Sequence, residues 1–345
     1  MDKILAKKDY SRWLEKLGSY RIFAPRKRDD VWNYEMVTAP DAERLEDVMT
    51  AVPAKGIVFP QREPFFEFAE TDDGTRITEI LPEGEPVVVF GVRPCEGRAV
   101  TLTDDVFGGE FEDHYYWKRR NATTLVGLSC GAPPSPNCFC LSVGGSPHSK
   151  EGLDLLLTDL GKTYYAEALT KKGEKLVLEG QKLFTAPGPE DRKAVDKIQA
   201  ASRKKIRREL SRIENVPAKL RGMFDSPFWD DESMSCIRCG ICTYLCPTCH
   251  CFDMADEVET STPLLGKRVR TWDTCQFPDF TMHSSGHNPR PDKASRLRQR
   301  INHKFQYFVE VWQKYQCTGC GRCISLCPVG IDIIQVVEKV RDHGA

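Results

Sequence analysis

Eight of the fifteen cysteines fall into two runs with the same spacing. Each run has the form C-x2-C-x2-C-x3-C-P, and the runs end at Pro247 and Pro328. In this bacterial two-cluster ferredoxin pattern, each run gives three thiolates to one [4Fe–4S] cluster and its fourth to the other. The predicted ligands are Cys236, Cys239, Cys242 and Cys327 for the first cluster, and Cys317, Cys320, Cys323 and Cys246 for the second. Paired zinc sites are the alternative.

Glycines and prolines in the runs fit the same geometry. Gly240, Gly319 and Gly321 permit the tight turns that aim backbone N–H groups at cluster sulfurs. Pro247 and Pro328 then redirect the chain, so that the fourth cysteine of each run reaches across a pseudo-twofold axis.

Four more cysteines predict a third site. Cys95, Cys130, Cys138 and Cys140 lie in two segments that follow predicted buried strands, and ligands of open α/β sheets bind at the carboxyl ends of strands. Prolines between Cys130 and Cys138 keep that loop extended. We therefore predict a third [4Fe–4S] cluster on these cysteines. The alternative is that they are buried thiols, because free cysteine behaves as a small hydrophobic residue.

The last three cysteines are Cys249, Cys251 and Cys275. They could line an auxiliary site with His250 as a fourth ligand, or they could pack beside the clusters and shield them. The segment Cys246–His250 also fits the c-type haem attachment pattern, but Cys246 already belongs to a ferredoxin run. No dinucleotide-binding, Walker A or nucleophile–base pattern is present, so no catalytic residue is predicted.

Composition excludes several protein classes. The odd and clustered cysteine count indicates metal ligation in a reducing compartment rather than a disulfide framework. The N-terminus lacks a long apolar stretch, which predicts no signal peptide, no membrane span and a cytoplasmic location. A net charge of −1 argues against nucleic acid as a partner.

The sequence predicts an α+β protein in three parts. A mixed α/β domain over residues 1–190 has strands at Pro86–Phe90, Thr123–Ser129, Leu153–Thr158, Tyr164–Leu169 and Lys175–Glu179, and helices near Asp41–Ala51 and Glu96–Thr103. A charged helical linker follows over 191–223. A ferredoxin-like domain with two clusters occupies 224–345, with a long insertion over 252–316 and a last helix at Ile331–Val340.

Two basic segments leave alternatives open. In the linker, one predicted helical face is apolar and carries Val195, Ile198, Ile206, Leu210 and Ile213. The opposite face is basic, and it is either solvated or a docking surface for an acidic partner. In the insertion, Leu265–Lys304 has nine Lys or Arg against three Asp. Those cations either stabilise a nearby negative cluster or form a solvated face.

The motifs resemble those of the electron-transfer subunit of anaerobic sulfite reductase and of the β subunit of sulfhydrogenase-type [NiFe] hydrogenases. The resemblance covers nearly the whole chain, and its main elements are the residues 239–253, Arg270-Thr-Trp-Asp-Thr-Cys275, Gly286-His-Asn-Pro-Arg290, Phe59-Pro-Gln-Arg-Glu63, Gly91-Val-Arg-Pro-Cys95 and Cys138-Phe-Cys140. One departure is Glu96, where the family pattern favours Asp.

The resemblance implies an iron–sulfur electron-transfer subunit of a multi-subunit anaerobic oxidoreductase. It implies two kinds of partner: a flavin-containing subunit linked to NAD(P)H or ferredoxin, and a catalytic reductase or hydrogenase subunit. Two alternatives are open. The N-terminal cysteine site could hold a catalytic cluster with an open iron, or the basic stretch Lys267–Lys304 could bind nucleic acid, which steep salt dependence would reveal.

Overall fold

The computed structural model describes residues 1–38, 45 and 47–344. Its strands are β1 (Asp2–Ala6), β2 (Arg21–Arg28), β3 (Val31–Met36), β4 (Arg62–Thr71), β5 (Gly74–Glu79), β6 (Val87–Val92), β7 (Thr123–Leu128), β8 (Leu155–Asp159), β9 (Thr163–Ala168), β10 (Phe184–Thr185), β11 (Phe252–Ser261) and β12 (Leu264–Trp272).

The helices are short apart from two. They are α1 (Tyr10–Lys16), α2 (Lys55–Val58), α3 (Pro94–Phe107), α4 (His114–Ala122), α5 (Lys171–Glu179), α6 (Pro189–Lys205), α7 (Val216–Gly222), α8 (Phe228–Ser233), α9 (Ile241–Tyr244), α10 (Lys293–Asn302), α11 (Phe308–Trp312), α12 (Arg322–Ser325) and α13 (Ile333–Asp342). A π-helical turn, His303–Tyr307, joins α10 to α11.

The larger sheet has the strand order β10-β1-β9-β8-β7-β6-β2-β3. Its central strands β2, β6, β7 and β8 are parallel, and the outer pairs are antiparallel. Strand β7 is buried along its whole length and β6 along nearly all of it, as expected for parallel strands covered on both faces. The carboxyl ends of β6 and β7 therefore lie side by side, and each leads into a cysteine-bearing loop.

A second sheet joins two distant parts of the chain. Its order is β11-β12-β4-β5, and all neighbours are antiparallel. The β11–β12 hairpin comes from the predicted insertion, whereas β4 and β5 come from the N-terminal part. Arg270 of β12 is buried and forms ion pairs with Glu63 and Asp113. The hairpin of the insertion is thus joined to the N-terminal half, whereas Leu297 and Ile301 of α10, which belong to the same insertion, pack in the C-terminal core.

Most of the sequence-predicted elements match the structure. Strands β6, β7, β8 and β9 and helices α3 and α13 lie within a few residues of their predicted positions. Five of the eleven residues of the predicted helix at 41–51 lie outside the described residues, and the other six, 45 and 47–51, are not helical. A mixed α/β protein with a C-terminal dicluster domain is confirmed.

Two local predictions are wrong. Lys175–Glu179 is the second half of α5 rather than a strand: the Thr170 hydroxyl accepts a hydrogen bond from Gly173 N–H at the start of this helix, and Leu176 and Val177 face the core. The linker helix ends at Lys205. Leu210 and Ile213 follow in an irregular segment and pack with α7 and α13 in the C-terminal core. The boundaries at 190 and 223 stay predictions, since that core also includes Phe139 and Val143.

Candidate metal centres

The first cavity is lined by four predicted ligands of one cluster. Cys236, Cys239, Cys242 and Cys327 surround it, although Cys327 is 85 residues beyond Cys242 in the chain. The pseudo-twofold exchange of the fourth cysteine therefore places it where the ferredoxin pattern predicts. Ile237, Leu297, Ile331 and Val336 form the apolar part of the remaining wall, Gln276 and Arg300 are polar members of it, and Cys239 is exposed.

The second cavity is lined by the other predicted set, Cys317, Cys320, Cys323 and Cys246. Phe139, Arg300 and Lys304 complete its wall. Cys320 is buried, and the other three are partly buried. This cavity lies deeper in the molecule than the first.

The two cysteine loops have the same backbone shape. Gly240 and Gly321 have φ values of 74° and 76°, and short helices α9 and α12 begin directly after them. Two residues earlier, Arg238 and Gly319 have φ values of 61° and 66°. The left-handed turns predicted at Gly240, Gly319 and Gly321 are present, and Arg238 adopts the same conformation at a steric cost.

The third cavity is lined by Cys95, Cys130, Cys138 and Cys140. Cys95 lies in the first turn of α3, just after β6, where helix N–H groups favour negative charge. Cys130 follows β7, which is parallel to β6. Cys138 and Cys140 arrive on the proline-rich loop, whose Pro133 and Pro134 also line the cavity. The prediction that these loops leave adjacent carboxyl ends of strands is confirmed.

The loop of the third cavity packs directly on the second cysteine loop. Phe139 N–H donates to Gly319 O at 2.8 Å, and Cys138 Sγ lies 3.8 Å from Cys320 O. A Cβ at Gly319 would lie 2.6 Å from Cys140 N, and one at Gly321 would lie 2.4 Å from Asn137 O. Glycine at both positions is therefore required by this contact as well as by the positive φ.

Shared cysteines connect the three cavities in a row. Cys323 lines both the first and the second cavity, and Cys320 lines both the second and the third. Each neighbouring pair of cavities is thus separated by the thickness of about one side chain.

Two buried cations, Arg300 and Lys304, line the first two cavities, and a third, Lys55, donates to the nearby Cys249 O. Lys55, Arg300 and Lys304 are at most 6% exposed, and in the described part of the chain none of them forms an ion pair with a carboxylate. Arg300 Nη1 lies 3.9 Å from Cys249 Sγ, and Lys304 Nζ donates to Thr248 Oγ1 at 2.9 Å. An uncompensated buried charge is costly, so this set requires negative charge in the cavities.

The pKa shifts of these groups follow from burial and from the sulfurs. Burial lowers the pKa of Arg300 and Lys304, but the nearby cysteines outweigh it and both pKa values are raised. Burial raises the pKa of Cys317 to about 11, of Cys138 to about 11 and of Cys140 to about 12. Without a metal these thiols are protonated at neutral pH, so iron binding must release protons.

A different pair of arginines lies beside the third cavity. Arg93 is 3.7 Å from Cys130 Sγ and pairs with Asp47, and Arg322 pairs with the buried Glu96 at 2.8 Å. Glu96 does not line the cavity. It accepts hydrogen bonds from Tyr34, Ala54 and Arg93 in addition to Arg322. Its role is therefore that of a buried counter-ion between the second and third cavities. Sequence reasoning missed Lys55, Arg93 and Arg322, although the last two neighbour predicted ligands.

The remaining three cysteines do not converge as one set. Cys249 hydrogen-bonds with Cys246, whereas Cys251 hydrogen-bonds with Cys275. His250 Nδ1 lies 3.3 Å from the Gln316 amide. Within the described ranges, no three His, Cys, Asp or Glu side chains surround a single ion position. The separate pairing of Cys249 with Cys246 and of Cys251 with Cys275 favours shielding over an auxiliary mononuclear site.

The basic stretch of the insertion divides into several roles. Lys267 and Arg268 pair with Glu259 and Asp256 across the β11–β12 hairpin, and Arg298 stacks on Phe224 at 3.7 Å. Only Arg300 and Lys304 reach the cysteine cavities.

On the linker helix Lys204 and Lys205 are exposed. No described helix has the length and apolar character needed to cross a membrane.

Comparison with known proteins agrees with this geometry. Residues 235–331 match a family model described as a 4Fe-4S dicluster domain. The chain is 29% identical to sulfhydrogenase 2 subunit beta of Pyrococcus furiosus over 322 residues, which cover 93% of this chain and 92% of that subunit. The chain is therefore similar to a sulfhydrogenase β subunit over nearly its whole length. The resemblance predicted from the motifs is confirmed, as is an iron–sulfur electron-transfer protein of the oxidoreductase class. No solved structure matches the chain significantly.

Proposed function

We propose that this relative of the sulfhydrogenase-type β subunits is a non-catalytic relay with three [4Fe–4S] clusters in series. Its first two sites would use the cysteines of the first and second cavities, and its third site would use Cys95, Cys130, Cys138 and Cys140. Each cluster, when bound, supplies one-electron redox chemistry. The observation that carries the proposal is the row of cavities linked by Cys320 and Cys323.

The residues around the cavities fit such a cofactor. A cubane spreads its ligands over four irons, so its cysteines surround a volume and do not meet at one point. Four cysteines and a cluster carry net negative charge, which would compensate the buried Arg300 and Lys304. The chain's part is to hold the cysteines, exclude water with apolar walls and fix the local charge.

A relay needs a donor and an acceptor on other chains. The matched relative is named as one subunit of a sulfhydrogenase, which supports partner subunits for this chain too. We propose a flavin-containing subunit linked to NAD(P)H or ferredoxin on one side, and a catalytic reductase or hydrogenase subunit on the other. The complex would be cytoplasmic.

Anaerobic reconstitution of the full chain tests the relay. Three clusters should give about twelve irons per chain, whereas the ferredoxin pattern alone gives about eight. The reconstituted protein should be reduced by dithionite, with an EPR signal, and should not turn over sulfite, hydrogen or NAD(P)H. Turnover by the isolated chain would contradict a non-catalytic role.

Single substitutions of the third set separate a closed site from an open-iron site. Cys95→Ser, Cys130→Ser, Cys138→Ser and Cys140→Ser should each lower the iron content by about four atoms and leave the other two EPR signals intact. Cys249→Ser is the matched control and should keep about twelve irons. If one of the four substitutions keeps its cluster, the alternative of a catalytic open iron is favoured.

A further inference from the structure

The two cysteine loops differ at one structurally equivalent position. Gly319 and Arg238 each lie one residue before the middle cysteine of their run, and both are in the left-handed region. Gly319 is covered by the loop that carries Cys138 and Cys140. Arg238 and its neighbour Ile237 are exposed to solvent.

The contact made by the second cysteine loop indicates what the equivalent face of the first loop, at Arg238, can bind. On the second loop, the equivalent surface receives a backbone segment that brings another cysteine cavity next to Cys320. The face of the first loop has the same backbone and borders a cavity whose Cys239 is exposed. A redox group seated there would be separated from the first cavity by about one side chain, as the third cavity is from the second.

Exposed apolar side chains lie close in sequence to the cysteines that line the first cavity. Ile237 is 59% exposed, Met234 is 68% exposed, and Leu326 next to Cys327 is 40% exposed. Arg238 has an exposed side chain, and no described residue forms a hydrogen bond or ion pair with it. A non-glycine residue in this conformation costs about 1–2 kcal/mol, and no hydrogen bond or ion pair of its side chain within the described residues offsets it.

We propose that this face docks a separate redox subunit that carries its own one-electron cofactor near its surface and places a carboxylate opposite Arg238. The apolar contacts would come from Met234, Ile237 and Leu326. The proposal rests on the proposed relay and assigns its first cavity as the end that meets another protein.

Charge supports an acidic occupant. Behind Arg238 lies the buried Arg296, whose Nη1 has no hydrogen-bond partner among the described residues. Lys293 donates to Met234 O at the edge of the same face. Two carboxylates face Arg296: Asp292, which caps α10, and Asp279. The exposed guanidinium of Arg238 therefore has no carboxylate of its own, which a partner would supply.

Isolation of the complex from the source organism tests the docking face. The tagged full-length chain carrying Met234→Asp and Leu326→Asp, two exposed positions that do not line the cavity, should retain at least tenfold less of the cofactor-bearing subunit per mole than wild type, measured by mass spectrometry and cofactor absorption. Iron per chain and EPR signals should be unchanged. Val311→Asp is the control, because Val311 is 65% exposed on α11 and does not line the cavity.

A cross-linking variant identifies the occupant directly. Arg238→Lys introduces an amine that a carbodiimide can join to an adjacent carboxylate. The expected product links this position to an acidic residue of a subunit with its own redox cofactor. A link to a second copy of this chain, no link at all, or full retention of the partner by the double variant would overturn the proposal.

Failure of the relay itself would look different. It would appear as missing iron or missing EPR signals in the wild-type chain, whereas the docking face is judged by the partner ratio and the cross-link. The two results are measured on the same preparation and do not depend on one another.

Discussion

The ferredoxin-type cavities and the third cavity compensate charge in opposite ways. Arg300 and Lys304 border the first two cavities, are buried and lack carboxylate partners in the described chain. Arg93 and Arg322 do not line the third cavity but lie near its cysteines, and each forms an ion pair with a carboxylate of the protein. The first two cavities therefore depend on their cofactor for neutrality, whereas the third is largely neutralised by the chain itself.

Removal of iron should expose this difference most strongly. In the apo-protein, the buried cations at the first two cavities would lose their compensation at a cost of several kcal/mol per ion. We expect hydrogen exchange to rise by orders of magnitude in α10 and the π-helical turn after it, while β6 and β7 stay protected. If β6 and β7 lost as much protection from hydrogen exchange as α10 and the π-helical turn, the proposed difference in charge compensation between the cavities would be wrong.

Gly319→Ala should disrupt the contact that joins the two kinds of cavity. The added Cβ would lie 2.6 Å from backbone atoms of Cys140, and φ is +66°. Strain and overpacking together predict a loss of roughly 2–4 kcal/mol of unfolding free energy. Denaturant titration measures it, and iron analysis should show that the third cluster is lost first. Gly330→Ala is the control, since its φ is +73° but no atom lies near its Cβ.

Arg300→Met should lower the reduction potentials of two clusters. Arg300 lines the first and second cavities but not the third. A unit charge at roughly 7 Å, with an effective dielectric of about 20, contributes about 2 kcal/mol, which is about 100 mV for one electron. EPR-monitored redox titration should show two couples shifted and one unchanged.

Two further measurements sharpen that result. Arg298→Met is the matched control, because Arg298 is on the same helix but stacks on Phe224 away from the cavities, and it should shift no couple. In the apo-protein Arg300→Met should increase stability, because it removes a buried charge that has no partner. A destabilised apo variant would contradict this account of the charge.

Arg238→Gly should have the smallest effect on the isolated chain. Glycine relieves the left-handed strain but adds freedom to the unfolded chain, so the net change should stay within about 1 kcal/mol. Thermal unfolding of the holo-protein measures it. The contrast with Gly319→Ala tests whether the neighbours of each loop, rather than its backbone, decide which residue it tolerates.

The sequence predicted the contiguous parts of the site well. Within each run the spacing fixes three ligands, and the proline after the fourth cysteine indicates the exchange that brings Cys327 to the first cavity. The convergence of the third set of cysteines on one cavity was also predicted, because a strand that ends before Cys95 and another before Cys130 implies a common sheet edge. Local spacing and strand direction are both properties of short segments.

What sequence missed depends on pairing between distant segments. The partnership of β12 with β4, the Glu96–Arg322 ion pair and the position of Lys55 beside Cys249 each join residues about 200 apart. The strand prediction at Lys175–Glu179 was wrong because a run of three apolar residues, Leu176–Leu178, fits helix and strand equally, and the preceding cap at Thr170 decided the outcome.

The pairing of β4 with β12 has a consequence for how the chain is made. Arg62 lies opposite Thr271, so one edge of the β4–β5 hairpin has no partner until the ribosome has added about 200 more residues. At about 5–20 residues per second this interval lasts roughly 10–40 s. The third cavity forms later still, because its wall is complete only after Gly319 and Cys320 have been synthesised. Folding of the N-terminal half therefore finishes only near the end of synthesis, and during that interval β4 is an open edge strand that a chaperone or early subunit contact would have to protect.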